Sequence, residues 1–347
     1  MKPMSSHAAA VQRGFTMVEL MVALLLGLLV VAAASSLFLS NRRVYGATEA
    51  ISRIQENQRG AFEILARDIR EAAGNPCMRF DGAYTDKFGV ELAAPDATFW
   101  SRFPNGVFGA EATGANGSDE ITLYSANSSV YAVSAHKKSS DVITVSTATK
   151  DLSNGQVLIV CNNDYAIAFA AVGVTPGGTT IGHNGAANCG NNLMKPVANA
   201  NTCALVNANS ANAYCFWQGV AGSDCPGGVG TSPAYVTAAT SALWTVANNG
   251  RGGTSLYRTV GGTASEIAEG VTALNLTYKV GSGTNYVDAS GVVAAGGWAQ
   301  VMAVHVQMTL QAVRGALGKG DVTGTDNATL DRTLDDYIVL RNHQVIQ

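Results

Sequence analysis

The chain has 347 residues, about twice what one ordinary domain uses, so a long accessory segment or a second module has to be accommodated. Charged residues make up only 14% and hydrophobic ones 47%, which excludes a charge-rich disordered chain, and a net charge of −3 leaves no broad positive field to grip nucleic-acid phosphates. Six cysteines are too few to build a disulfide miniprotein, yet enough for three bridges in an oxidising compartment.

Residues 1–14 form a short polar leader carrying Lys2 and Arg13 and no acid, and an apolar run follows at once. From Met21 to Leu39 nineteen consecutive residues carry no formal charge. At 1.5 Å per residue they reach about 28 Å, close to the hydrocarbon thickness of a bilayer, so a single membrane-spanning helix is expected. Basic residues flank the run on both sides, Lys2 and Arg13 before it and Arg42 and Arg43 after it, and their count sets no orientation. A cleaved secretory signal has the same opening and would use Ala32-Ala33-Ala34-Ser35-Ser36 as its cleavage site. That reading leaves Glu19 unexplained, an acid inside the apolar run whose burial at membrane depth costs roughly 3 kcal/mol.

The residues Arg13-Gly14-Phe15-Thr16-Met17-Val18-Glu19-Leu20 resemble the class III signal of type IV prepilins. The resemblance implies that a prepilin peptidase cuts between Gly14 and Phe15 and that the new amine of Phe15 is methylated. It also implies that the leader is cytoplasmic and the remainder periplasmic, and that the apolar helix is kept. The mature chain then has 333 residues and, having lost two positive charges, 20 basic against 25 acidic side chains, a net charge of −5. A buried carboxylate is much less costly when a cation meets it at hydrogen-bonding distance. Glu19 is expected to pair with the amine of Phe15, one turn away in its own helix or on a neighbouring subunit. The resemblance favours the neighbour.

Beyond the span, apolar residues at Val44, Ala47, Ile51, Ile54, Ala61, Phe62, Leu65, Ile69 and Ala72 recur at intervals of three and four, one face of a helix. Glu49 with Arg53, Arg59 with Glu63 and Glu63 with Arg67 stand four apart elsewhere on that helix. No proline interrupts residues 15–73, so an unbroken helix of roughly 88 Å is predicted, with Gly46 and Gly60 as weak points and Gly74-Asn75-Pro76 as the stop. The heptad pattern is too short for a free coiled coil, and this half is expected to pack on a soluble body.

From about residue 77 the period shifts toward strands, predicted at Glu120–Tyr124, Val130–Ala135, Asp141–Ser146, Gln156–Cys161, Tyr165–Ala171, Leu256–Val260, Val271–Tyr278, Val301–Leu310 and Tyr337–Leu340. In the run from Val301 to Leu310, Met302, Val304, Val306 and Met308 share one face and His305 points the other way as a surface histidine. Nine of the thirty-one residues from Gly182 to Asn212 are asparagine, which reads as part of a long loop insertion at about 175–250. Cys189, Cys203, Cys215 and Cys225 fall in or beside it, where covalent staples replace a core. Local pairs 189–203 and 215–225 are one choice among fifteen pairings of six cysteines.

Residues 52–77, SRIQENQRGAFEILARDIREAAGNPC, resemble the post-span helix of PilW-type minor pilins. The segments Gln156–Cys161, Glu269–Tyr278, Trp298–Val301 and Val339–Asn342 recur in that family in the same order. The resemblance covers most of the chain except about 80–120 and 175–250, and it implies a Cys77–Cys161 bridge. The expected fold class is α+β: a long N-terminal pilin helix packed on a β-rich head. The expected organisation is a cleaved leader at 1–14, a membrane and filament-core half-helix at 15–40, an amphipathic half at 41–76 and a periplasmic head at 77–347. The implied function is that of a minor pilin that helps to initiate pilus assembly near the tip, serving twitching motility, adhesion or DNA uptake. Implied partners are the prepilin peptidase, other minor pilins and the major pilin, the assembly platform and inner-membrane lipid. Two alternatives stand beside it, a J-type pseudopilin of type II secretion and a tip adhesin whose binding site is the asparagine-rich cystine loop.

An enzyme is not expected. The chain holds no G-x-S-x-G, no phosphate-binding G-x-x-x-x-G-K, no H-E-x-x-H and no complete G-x-G-x-x-G. Without a C-x-x-C pair, and with five histidines of which one lies in the leader, no zinc site and no cofactor are expected. Asp321, Asp326, Asn327 and Asp331 are oxygen-rich and closely spaced, but they fail the EF-hand pattern and read as a solvated loop.

Overall fold

The computed structural model describes residues 14–78, 86–196, 203, 210–217, 224–313 and 329–343. Helix α1 spans Met17–Glu71 without a break, through Gly46 and Gly60 alike. The chain divides into two compact units, with a boundary between Ser52 and Arg53.

In the second unit, Ile54, Ala61, Leu65, Ala66, Ile69 and Ala72 of α1 are buried in one cluster with Trp244, Leu274, Leu276, Val304, Val306 and Met308. Their spacing of seven, four, one, three and three residues keeps them on one stripe of the helix. Each fully buried aliphatic side chain contributes about 1.5–3 kcal/mol. Polar contacts set the register of the stripe. Asp68 accepts from Trp244 Nε1 at 2.9 Å and from Arg258 Nε at 2.6 Å and Nη2 at 3.2 Å. Gln58 donates to the carbonyls of Met308 and Arg332. Of the expected surface ion pairs, Arg67 turns instead to Glu71, at 3.0 Å.

The helix stops where Ala73 takes a left-handed φ of 59° and donates its N–H to the Tyr124 carbonyl at 2.8 Å. Asn342 donates to the freed carbonyls of Ala72 and Glu71, capping the C-terminus from the far end of the chain. Gly106 passes so close that a Cβ there would meet the Ala73 side chain at 2.3 Å, and only glycine fits. Asn75 Oδ1 then accepts from the Cys77 and Met78 amides, turning the chain toward the sheet.

The larger sheet is built from β1 (Phe88–Val90), β2 (Val107–Ala110), β3 (Glu120–Ala135), β4 (Ile143–Val145), β5 (Val157–Cys161), β6 (Ala166–Ala170), β7 (Thr180–Ile181), β10 (Tyr235–Asn248), β11 (Thr254–Val260) and β12 (Thr263–Glu269), with a small parallel pair β8 (Tyr214–Cys215) and β9 (Gly228–Val229) apart from it. Its spine runs β1-β6-β5-β10-β3-β4-β7. Strand β10 serves two neighbours on one edge: Tyr235–Ala238 pair with β5 and Ala242–Asn248 with β11, while β3 lies along the other edge. The smaller sheet, ordered β14-β13-β15-β16, consists of β13 (Val271–Val280), β14 (Tyr286–Val287), β15 (Val301–Gln311) and β16 (Asp331–Val339).

The expected insertion at 175–250 therefore contains β10, at the centre of the larger sheet. Its sequence, YVTAATSALWTVAN, is rich in Ala, Thr and Ser, and its apolar side chains are small where strands on both edges crowd it; only Val236, Trp244 and Val246 announce burial. Two predicted strands, Glu120–Tyr124 and Val130–Ala135, are parts of the single strand β3, whose Ala126-Asn127-Ser128-Ser129 centre has no alternating pattern to read. Strands β1, β2 and β12 also lie outside the predicted set.

Candidate functional site

Gly14 and Phe15 precede α1, and the Phe15 side chain is 85% exposed. Thr16 caps the helix: its Oγ1 accepts from the Glu19 amide at 3.3 Å and its carbonyl from the Leu20 amide at 3.2 Å. Thr16-x-x-Glu19 is thus a capping-box sequence, a signal that was present in the sequence and was passed over. Glu19 occupies the first turn, where an acid complements the positive end of the helix dipole. Among the described residues no basic side chain pairs with its carboxylate. In the uncut chain the Phe15 nitrogen is an amide, so the ion pair expected of Phe15 and Glu19 requires cleavage first.

From Phe15 to Leu39 the large apolar side chains are more than half exposed: Leu25, Leu29, Val31 and Phe38 among them. Helix α1 is long and apolar enough in this part to cross a membrane, and none of its most apolar window is buried within the chain. Such a surface in water is far beyond the apolar patch of an ordinary soluble monomer.

The cystine-bearing region is a second candidate. Disulfides join Cys189 to Cys203 and Cys215 to Cys225, and a third joins Cys77, just past α1, to Cys161 at the end of β5. Two asparagines in and beside this region are structural: buried Asn188 accepts from the Ala170 amide and donates to the Ala170 and His183 carbonyls, and Asn162 bridges the amides of Asp164 and Tyr165 to Tyr214. Beside β1, Glu91 is 3% exposed. Its Oε1 accepts from the Met194 amide at 2.5 Å and its carbonyl from the Cys189 amide at 2.8 Å. Burial pushes the Glu91 carboxyl up to about 8, against a smaller lowering by the Met194 amide. Its sequence signal was a lone acid in the apolar run Phe88-Gly89-Val90-Glu91-Leu92-Ala93.

His305 lies on the outer face of the smaller sheet, Nε2 at 2.7 Å from Asp335 and its ring stacked at 4.3 Å on Tyr337. Among the described residues no group of three or more His, Cys, Asp or Glu is placed to hold a metal ion. Asp331 opens β16, while Asp321, Asp326 and Asn327 lie outside the described residues.

Residues 10–35 match the prokaryotic N-terminal methylation motif. The match takes in Gly14, Phe15 and Glu19 and most of the exposed apolar half of α1. No curated protein matches the chain. A solved structure similar to it is a type IV-like pilin from Thermus thermophilus, with 9% identity over 84% of this chain and 97% of that chain and a TM-score of 0.30.

Proposed function

We propose that the chain is a minor pilin of a type IV pilus. In this reading α1 holds the precursor in the inner membrane, a prepilin peptidase cuts between Gly14 and Phe15, and the same helix then leaves the lipid for the core of a fibre. The observation that carries it is the conjunction of the methylation motif with an apolar helix half that no other described residue covers. Lipid and a packed bundle of like helices both cover that surface, so moving between them changes little apolar exposure. Glu19 sets the direction of the transfer: alone in lipid it is costly, and beside the methylated amine of an adjoining subunit it is paired.

The β-rich head does no covalent chemistry in this reading and takes part in assembly near the tip with other minor pilins. The test is to delete the gene, restore it with a tagged copy, and follow sheared surface fibres. Tagged protein in the sheared fraction, with fibres lost on deletion, supports the reading. A chain confined to the membrane fraction in cells whose fibres do not need it defeats it.

A further inference from the structure

Two histidines are buried side by side where the cystine-bearing region meets the larger sheet. His136 follows β3 and His183 follows β7; each is 1% exposed, and their rings meet edge to face at 5.6 Å between centroids. Backbone groups decide which nitrogen of each carries the proton. The Phe216 amide donates to His136 Nδ1 at 3.1 Å, so that nitrogen is a bare acceptor and the proton of the neutral ring sits on Nε2. His183 Nε2 is 2.7 Å from the Asp141 carbonyl, which only accepts, so the proton of this ring also sits on Nε2 and Nδ1 is bare. The nitrogens left over, His136 Nε2 and His183 Nδ1, are both buried without a hydrogen-bond partner. One is a donor and the other an acceptor. A buried polar atom left without a partner is costly, and the two are complementary to one another through one bridging water.

A transition metal does not suit the pair. Binding at His136 Nε2 would drive that proton to Nδ1, where the Phe216 N–H already points. What the arrangement accepts is a proton, and the free lone pair on His183 Nδ1 is the place for it.

We propose that His136 and His183 form a water-bridged latch fastening residues 182–196 and 213–217 of the cystine-bearing region to the turn 136–141, and that one proton taken from solvent onto His183 Nδ1 opens it. The neutral pair presents N–H to N; the protonated pair presents N–H to N–H and buries an imidazolium. The same turn carries the other fastenings of the segment. Ser139 Oγ donates to Asn192 and accompanies the Leu193 amide, which bonds the Ser139 carbonyl at 2.9 Å. Asn184 donates to the Ser140 carbonyl, and the Cys215–Cys225 sulfurs rest on the Lys137 carbonyl.

The charged neighbours do not stabilise an imidazolium enough to hold the latch shut. On the turn, the Lys137 ammonium lies over the Trp217 ring at 5.2 Å, and Lys138 pairs with Asp224 of the segment at 3.7 Å, both more than half exposed. The Asp141 carboxylate accepts from the Lys138 amide and favours the charged form of His183, but burial outweighs it and lowers both histidines. The Asp141 backbone has the same smaller effect on His136. From β6 the facing side chain is Phe169, and beyond β8 it is Phe216, neither charged. Glu91, just past β1, reaches the segment through the Met194 amide rather than through the rings.

The test uses the full chain in detergent micelles with isotope-labelled histidine. At about pH 7, long-range proton–nitrogen correlation spectra are expected to find His136 and His183 neutral, each with its proton on Nε2. A proton on Nδ1 of either ring, or a charged ring, overturns the latch. Hydrogen exchange, corrected for intrinsic rates, then reads the opening. Between about pH 7 and pH 4 the Leu193, Tyr214 and Phe216 amides should lose about tenfold or more in protection while those of β15 keep theirs. Loss spread equally over β15, or none at all, counts against the proposal. His183→Gln keeps a donor and an acceptor but does not titrate, so this variant should stay protected at the lower pH; opening as in the wild type contradicts a role for the proton on Nδ1. Should that variant not fold, the wild-type proton positions still decide.

Discussion

Glu91 and His136 give the second compact unit an unusual dependence of stability on pH. The Glu91 carboxyl goes from an ordinary 4.5 to about 8 in the folded chain, so between those values the folded state holds a proton that the unfolded state has released. Stability contributed by the protonated carboxyl is complete below about pH 4.5 and is lost as pH rises through 8. The interval is about 3.5 pH units at about 1.4 kcal/mol each, at most about 5 kcal/mol. His136 runs the other way. Burial pulls it from 6.5 to about 3, the unfolded state binds the extra proton, and stability rises with pH from about 3 to 6.5 by a comparable amount. Where the two intervals overlap, from about pH 4.5 to 6.5, the slopes of these two groups oppose, and His183, also lowered by burial, adds a rise toward pH 6.5. Stability should therefore reach its maximum near pH 6.5 and fall between about pH 6.5 and 8. The exposed Asp335 carboxyl, held low by Gln307 and His305, acts below this window. Glu91→Gln keeps an oxygen for the Met194 amide and has nothing to ionise. Its urea-unfolding curves, disulfides intact, should stay level from about pH 6.5 to 8 while the wild type loses about 2 kcal/mol. An equal decline in both proteins would refute the assignment of that arm to Glu91.

Four further outcomes follow. Replacing Gly14 by a bulky residue should leave uncut precursor in the membrane fraction, seen as the larger band on a blot; mature-sized protein speaks against the cleavage assignment. Glu19→Ala should be processed normally yet reach sheared fibres at a small fraction of wild-type level, since a desolvated charge pair is worth about 2 kcal/mol or more; undiminished incorporation argues against the pairing. Asp68→Ala strips partners from Trp244 and Arg258 and should lower unfolding stability by about 2–3 kcal/mol, within the range for breaking a partly buried charged hydrogen-bond set; no loss means that α1 is not pinned there. Replacing Cys77 and Cys161 by serine opens a loop of 84 residues and should cost roughly 4–5 kcal/mol, against roughly 3 kcal/mol for the pair at 215 and 225, compared by thermal unfolding; equal losses would contradict the loop-length reasoning.

Much of the architecture was legible because periodicity survives in single segments. The stripe from Ile54 to Ala72 announced a helix with one buried face, and the alternation from Val304 to Leu310 announced a strand whose outer face carries His305. The end of α1 was visible as Gly74-Asn75-Pro76, but its capping by Asn342 was not, since that contact joins residues 270 apart. Strand β10 escaped because a small-residue strand crowded from both edges looks like a loop, and its asparagine-rich surroundings reinforced the impression. The three disulfides are the pairs expected, one from the family resemblance and two from proximity in sequence. At the N-terminus the motif that includes Gly14, Phe15 and Glu19 is local and readable, as is the Thr16-x-x-Glu19 cap. His136, His183 and Glu91 left little trace, because burial of a titratable group depends on which distant segments fold over it.

The central claim is that α1 is kept and that the mature chain begins at Phe15. The mass of the N-terminal peptide of the protein recovered from cells tests it most directly. A peptide that begins at Phe15 and carries one added methyl group is the expected result. A first residue beyond Leu39, on a chain recovered free of the membrane, contradicts it.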